Sequence, residues 1–255
     1  MEKKESSTSG KRSSSRKLEM RERRRKQAQR NKWIIIGSIL LVVAAVAGLL
    51  IWTQWKQANA PIGDIIIPTG MNRPAVNGNS VGDPNAPVKL TEVADFQCPA
   101  CKSFSENIEQ TLLDNFVATG KVYFTYETFS FLDEQSSGRE SKAAAEAAYC
   151  AMDQNRYWDF HDILYANQTG ENIGDFTDRR LTAFAAALGL DMEAFSDCFE
   201  SGKYKQRVLD ELVAAPGRGI NSTPSFLING QLIKIESSWQ ELFDALDAAY
   251  AAAEN

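Results

Sequence analysis

Residues 33–52 carry no charged side chain, and the run 34–51 is almost wholly Ile, Leu, Val, Ala and Gly. An apolar helix of about 20 residues matches the hydrocarbon thickness of a bilayer. A core helix of a soluble domain is shorter and apolar on one side only. The run therefore predicts a single transmembrane helix over 33–55. Trp33, Trp52 and Trp55 fall at its ends, where indole rings favour the interface. This one segment divides the chain into two unlike parts.

Before it, residues 1–32 hold 13 Lys/Arg and 4 Glu, a net of +9, with almost nothing apolar. Such a segment cannot bury enough surface to offset its chain entropy, so it reads as a disordered basic tail. Arg21, Arg23, Arg24, Arg25 and Lys26 are read as a topology signal with lipid contact; nucleic-acid binding is the alternative. After the tail, residues 33–255 hold 15 Lys/Arg and 29 acids, a net of -14. An acidic body repels phosphates, which argues against a nucleic-acid partner. The positive-inside rule places the tail in the cytoplasm and the body outside, giving a single-pass protein of the cell membrane. Ala58-Asn59-Ala60 resembles a signal-peptidase site, but Pro61 follows it and the apolar run is long for a signal peptide. An uncleaved signal-anchor is expected.

Residues 56–87 contain Pro61, Pro68, Pro74, Pro84 and Pro87 with several Gly and Asn. They read as a linker, a flexible tether reaching roughly 30 Å root-mean-square. Ile65-Ile66-Ile67 is either an edge strand or a sticky part of that tether. A folded domain is expected over 88–252, long enough for one core. Val88–Ala94 reads as a strand. Residues 101–118 read as a helix with Phe104, Ile108, Leu112 and Phe116 on one side. Residues 122–129 read as a strand with Val122, Phe124 and Tyr126 on one face. A helical block follows, about 138–216, with Gly189 closing one helix. Ser225–Ile228, Asn229-Gly230 and 232–235 read as a hairpin. A last helix opens at Ser238 with Glu241 completing a capping box, and carries Leu242, Leu246 and Tyr250. This order predicts an α/β fold with helices packed on a sheet.

All four cysteines lie on the predicted outer side, where disulfides persist. Cys98 and Cys101 form a Cys-Pro-Ala-Cys turn between the first strand and the first helix. A helix N-terminus offers free N–H groups and partial positive charge, which favour a thiolate. Cys98 should therefore be acidic, and the thiolate is the species that attacks disulfides. Cys101, one turn on, is placed to resolve a mixed disulfide. Pro99 suits the first turn because its missing N–H costs nothing there. A purely structural disulfide and a four-cysteine zinc site are the rival readings; the single Cys-x-x-Cys argues against zinc. Cys150 and Cys198 each sit on an apolar helix face without an adjacent cation. A structural bridge between them is favoured, worth roughly 4 kcal/mol for a loop of this length. A second redox relay and two free buried thiols remain open.

The segment Val88-Lys89-Leu90-Thr91-Glu92-Val93-Ala94-Asp95-Phe96-Gln97-Cys98-Pro99-Ala100-Cys101 resembles the active-site segment of DsbA-like thiol–disulfide oxidoreductases of the thioredoxin superfamily. Ala147-Ala148-Tyr149-Cys150-Ala151 and Tyr157-Trp158-Asp159-Phe160-His161 are similar to that family's helical insertion, and 219–230 to its closing hairpin. The resemblance covers about 82–252. It implies a thioredoxin fold with an inserted helical subdomain, preceded here by the transmembrane helix. It implies Cys98 as nucleophile and Cys101 as resolving cysteine. Pro224 becomes a cis-proline facing them, with Thr223, Pro99 and Ala100 beside the substrate. Glu92 falls at the position of a buried acid that takes the Cys101 proton through water, with Asp95 a weaker rival. Some relatives bridge cysteines at the Cys150 and Cys198 positions. The exchange needs no bound cofactor or metal.

Two departures stand out. The dipeptide between the cysteines is Pro-Ala rather than the Pro-His of the strongest oxidants, and Ser222 stands where Gly is usual. His161 is read as a structural helix residue. The function implied is oxidation of exported proteins that carry thiols, with reoxidation by a quinone-linked membrane partner. A reductase or isomerase is one alternative, and a non-catalytic peptide-binding module is another.

Overall fold

The computed structural model describes residues 30–53, 62–136 and 138–254. The basic tail before residue 30, Trp55 and the Ala58–Ala60 site lie outside the described residues. The chain forms two compact units, 1–61 and 62–255.

In the first unit, α1 (Arg30–Thr53) has 24 residues, and an 18-residue stretch of it has a mean hydropathy of 3.0, long and apolar enough to cross a membrane. Its Ile, Leu and Val side chains, Ile36 apart, are exposed. The two hydroxyls on it bond back into the helix: Ser38 to the Ile35 carbonyl at 2.8 Å and Thr53 to that of Leu50 at 2.9 Å. Hydroxyls satisfied in this way need no water.

The second unit is built on a five-stranded sheet in the order β1-β3-β2-β4-β5. The strands are β1 (Ser80–Val81), β2 (Val88–Ala94), β3 (Val122–Thr128), β4 (Ser225–Ile228) and β5 (Gln231–Ile233). β2 and β3 are parallel; the other neighbours are antiparallel. The central β2 is almost wholly buried, as its run of Val, Leu and Ala requires. On β3 the predicted alternation holds, with Val122, Phe124 and Tyr126 buried. Asn229 and Gly230 both have positive φ, 50° and 79°, the conformation that a two-residue hairpin turn demands.

The first helix differs from the expectation of one helix over 101–118. α2 (Pro99–Asn107) begins at the Cys-Pro-Ala-Cys turn and stops at Ile108, whose φ of -123° leaves the helical range. α3 (Glu109–Leu112) then runs into a π-helical turn, Leu113–Val117. The break brings Glu109, fully buried, against Arg73.

The helical block consists of α4 (Glu140–Met152), α5 (Tyr157–Asn167), α6 (Asp178–Ala187), α7 (Met192–Glu200) and α8 (Lys205–Ala214). α4 is buried along most of its length because Ala143, Ala144, Ala145, Ala147, Ala148 and Ala151 let its neighbours approach closely. Gly189, at φ 70°, closes α6 as predicted, and its N–H reaches the Ala186 carbonyl. Cys150 on α4 and Cys198 on α7 are disulfide-bonded, with Cα atoms 5.8 Å apart. The final helix, α9 (Gln240–Ala253), starts two residues after Ser238 and has no side-chain cap at Trp239. Glu241 still reaches back, accepting from the N–H groups of Glu236 and Ser237.

Residues 62–87, expected as a tether, are packed on the domain. Ile65 and Met71 lie against the core. Ile65–Ile67 form no strand; instead the Asn167 side chain pairs with the Ile66 N–H at 2.9 Å and its carbonyl at 2.7 Å. Arg180 donates to the Ile62 carbonyl at 2.8 Å. Residues 80–81 then enter the sheet beside β3. Gly82 follows at φ 99°, where a Cβ would meet Val117 and the Val122 carbonyl at 2.8 Å. The arm is held by partners distant in sequence, which local Pro and Gly content does not reveal.

Candidate active site

β2 ends at Ala94, and Asp95, Phe96 and Gln97 turn the chain into α2. The Asp95 carboxylate accepts the Gln97 N–H at 2.9 Å, and the Asp95 carbonyl accepts the Cys98 N–H at 2.9 Å. Cys98 is thereby set at the N-cap in extended geometry, with Pro99 in the first turn. β4 pairs antiparallel with β2, Ser225 opposite Val93, so the loop entering β4 lies beside this turn. In that loop the Thr223–Pro224 bond is cis, as the resemblance implied. The Cys98 thiol donates to the Thr223 carbonyl at 3.4 Å. The structure thus brings together Cys98, Cys101, Thr223 and Pro224, with Pro99 and Ala100 exposed above them.

The two free thiols are unlike. Cys98 is 7% exposed and Cys101 fully buried. A hydrogen bond from the Cys101 thiol pulls Cys98 down from 9.0 to about 6, against the effect of burial; the Thr223 side chain and the Cys101 and Ala100 N–H groups help. Burial, followed by the Cys98 sulfur, pushes Cys101 well above the usual thiol range. Cys98 is therefore the more acidic and the less deeply buried of the two sulfurs. Environments that split paired groups in this way assign their roles.

Glu92 lies on β2 opposite Tyr126 of β3 and Phe226 of β4. Burial, then the charges of Glu109 and Cys98, hold its carboxyl well above the ordinary range. It lies within electrostatic reach of both thiols. Asp95 is also raised by burial, to about 7, against hydrogen bonds from Ser141, Gln97 and Leu132. Both of its oxygens are engaged, by the Gln97 and Leu132 N–H groups and the Ser141 hydroxyl at 2.6 Å. That binding ties the active-site turn to α4 and to the 3-10 turn Phe131–Gln135.

Sequence reasoning missed the rest of this clamp. Gln97 donates to Ser141 at 2.7 Å and accepts the Asn172 N–H at 2.6 Å. Gln168 donates to the Gln97 carbonyl at 2.6 Å, and Lys102 donates to the Gln168 carbonyl at 2.7 Å. The helical block therefore forms one wall of the site. Only the place of Gln97, directly before Cys98, hinted at this. His161 makes no hydrogen bond to sulfur; its ring lies among Phe96, Tyr126, Trp158 and Tyr165. The Cys150–Cys198 bond removes two thiols from any four-cysteine zinc site.

A family model described as Thioredoxin matches residues 75–248. A probable disulfide bond formation protein D of Bacillus anthracis is 30% identical over 155 residues, covering 60% of this chain and 70% of that protein. A Na(+)/H(+) antiporter of Salinispora tropica is 28% identical over 84% of this chain, but over only 33% of its own length. The crystal structure of oxidised BdbD from Bacillus subtilis superposes with a TM-score of 0.61 at 21% identity, covering 74% of this chain and 100% of that one. The fold, the Cys-x-x-Cys turn and these relatives define a thiol–disulfide oxidoreductase. The chain belongs to the DsbA-like branch of the thioredoxin superfamily.

Proposed function

We propose that this oxidoreductase is a membrane-anchored, extracytoplasmic oxidase that donates the Cys98–Cys101 disulfide to exported proteins. The observation that carries the oxidase reading is the acidic Cys98 thiol. A stabilised thiolate stabilises the reduced enzyme and makes its disulfide a stronger oxidant. The relative named for disulfide bond formation supports the same direction. The Pro-Ala dipeptide lacks the histidine donor of the strongest oxidants, so the potential should fall short of theirs.

The steps follow from the split thiols. A substrate thiolate attacks the Cys98 sulfur, and the Cys98–Cys101 bond breaks with its electron pair passing to Cys101. Cys101 takes a proton from the Glu92 carboxyl through water; in the reverse direction Glu92 takes it back. A second substrate thiolate attacks the substrate sulfur of the mixed disulfide, and Cys98 leaves as a thiolate. The substrate gains a disulfide and the enzyme holds two electrons. Thr223, Pro224, Pro99 and Ala100 border the approaching substrate. The α1 anchor, with the basic tail on the cytoplasmic side, keeps the domain near emerging chains. A quinone-linked membrane protein is the proposed acceptor that restores the disulfide.

The test is oxidation of a reduced, unfolded protein by the full-length chain in detergent. Multiple disulfides should form with the wild type and none with Cys98→Ser. If Cys98→Ser keeps its affinity for unfolded peptides and the wild type transfers no disulfide, the chain is a binding module. If the wild type only reduces or reshuffles disulfides, it is a reductase or isomerase.

A further inference from the structure

A buried ionic cluster lies outside the steps above. Arg73, from the arm, has a side chain only 4% exposed, and its Nη2 bridges Glu109 Oε1 at 2.8 Å and Asp162 Oδ1 at 2.7 Å. Its Nη1 donates to Asp162 Oδ2 at 2.8 Å, so Asp162 takes both prongs of the fork. Asp162 is also bound to His161 Nδ1 at 2.9 Å. Glu109 is held through Oε1 alone; its buried Oε2 and the buried His161 Nε2 have no protein partner. Burying such ions gains little net stability over an apolar packing of the same volume.

The cluster covers the sheet face that carries Glu92. Glu92 stands opposite Tyr126 in the β2–β3 register. The Tyr126 ring meets His161 edge-on at 5.0 Å, and its hydroxyl lies 2.8 Å from that of Tyr165. Phe124, two residues earlier and so on the same face, packs on Trp158 at 5.8 Å. Arg73 lies 4.5 Å over that Trp158 ring. The titratable groups around Glu92 are Cys98 at the α2 N-cap, Cys101 on α2, Glu109 on α3, Tyr126 on β3, and Tyr157 and Tyr165 on α5, with His161 and Asp162 next beyond Tyr126. Arg73 is the cation among them, and Asp162 already engages both ends of its fork.

We propose that Glu109, ion-paired with Arg73, is a positioning residue of the redox centre: it acts on Glu92 and, through it, on the proton that the departing Cys101 sulfur needs. The idea rests on the role given to Glu92 above. Burial of Glu92 acts in the same direction, with the Glu109 charge next in size. When Cys101 leaves as a thiolate, Glu92 passes it the proton and becomes a carboxylate. Glu109 repels that carboxylate, which then reloads from solvent. The arm at 62–73, which lies before the matched Thioredoxin region, is thus part of the enzyme through Arg73.

The test follows the Glu92 carboxyl of the oxidised, full-length chain in detergent by carbon-13 NMR, with the signal assigned from Glu92→Gln. Glu109→Gln leaves the two-pronged Arg73–Asp162 pair intact; Glu109→Met is a second variant that needs no partner. Either folded variant should lower the Glu92 midpoint by about one pH unit, a tenfold change in its proton affinity. Glu109→Asp should restore at least half of that shift. Oxidation of substrate should fall by up to about tenfold at pH values between the two midpoints. An unmoved midpoint in the folded Gln and Met variants overturns the proposal, even if their stability drops. The role of Glu92 is judged separately: if Glu92→Gln oxidises substrate at the wild-type rate, that reading fails whatever the midpoint does.

Discussion

The titration of Cys98 is where the structure makes its sharpest quantitative statement. The thiol falls from 9.0 to about 6 on folding of the reduced chain. At pH 7 it is then about 90% ionised, against about 1% in an unfolded chain, which stabilises the reduced state by about 1.4 kcal/mol. For a two-electron couple this makes the disulfide about 30 mV more oxidising. The folded value is the depressed one, so the stabilisation is fully present above pH 9 and is lost as pH falls through about 6. Below that pH, reduction takes up two protons and the potential should fall by about 59 mV per unit. Above it, reduction takes up one proton and the slope should halve to about 30 mV. The assay is thiolate absorbance at 240 nm on the reduced full-length chain, with Cys98→Ser as blank, alongside the potential at each pH. A single steep slope from pH 5 to 8, with a thiolate midpoint near the value of a free cysteine, would refute the reasoning.

Three further outcomes follow. Replacing Cys150 and Cys198 together by Ala opens a loop with a sequence separation of 48. Thermal unfolding should then show a loss of about 4 kcal/mol, while Cys98 reactivity stays within about twofold. Arg73→Met strands two buried carboxylates and should cost about 3–5 kcal/mol by the same measurement, whereas a true tether would lose nothing. Asp95 is held at about 7 by burial, above its ordinary 3.8. Its contribution to stability is therefore present below pH 4 and lost as pH rises through about 7, and Asp95→Asn should flatten that slope in unfolding curves taken from pH 4 to 8.

Much of the domain was legible because its signals are local. The alternation of Val122, Phe124 and Tyr126, the Asn229-Gly230 turn and the Gly189 stop each occupy a few adjacent residues, and each appears where expected. The acidity of Cys98 was also foreseeable, since a strand-to-helix turn exposes N–H groups by construction. That the Cys101 thiol is the leading cause was not foreseeable, because it depends on the relative placement of two side chains. The ordered arm was hidden for the same kind of reason. Ile66 is held by Asn167, and Arg73 by Glu109 and Asp162, all far along the chain. The helix break at Ile108 has no Pro or Gly to announce it. The Gln97–Ser141–Asn172 clamp likewise joins segments whose meeting only the folded block creates.

The most direct test of the central claim is the equilibrium of the full-length chain with glutathione, quenched at graded potentials and mapped by mass spectrometry. One reversible couple is expected at Cys98–Cys101, lying between about -120 and -270 mV and nearer the oxidising end. The Cys150–Cys198 bond should stay intact across that range. If Cys98 and Cys101 form no reversible disulfide, oxidoreductase chemistry at this turn is contradicted. A value at or below about -270 mV would contradict the oxidase direction and leave a reductase.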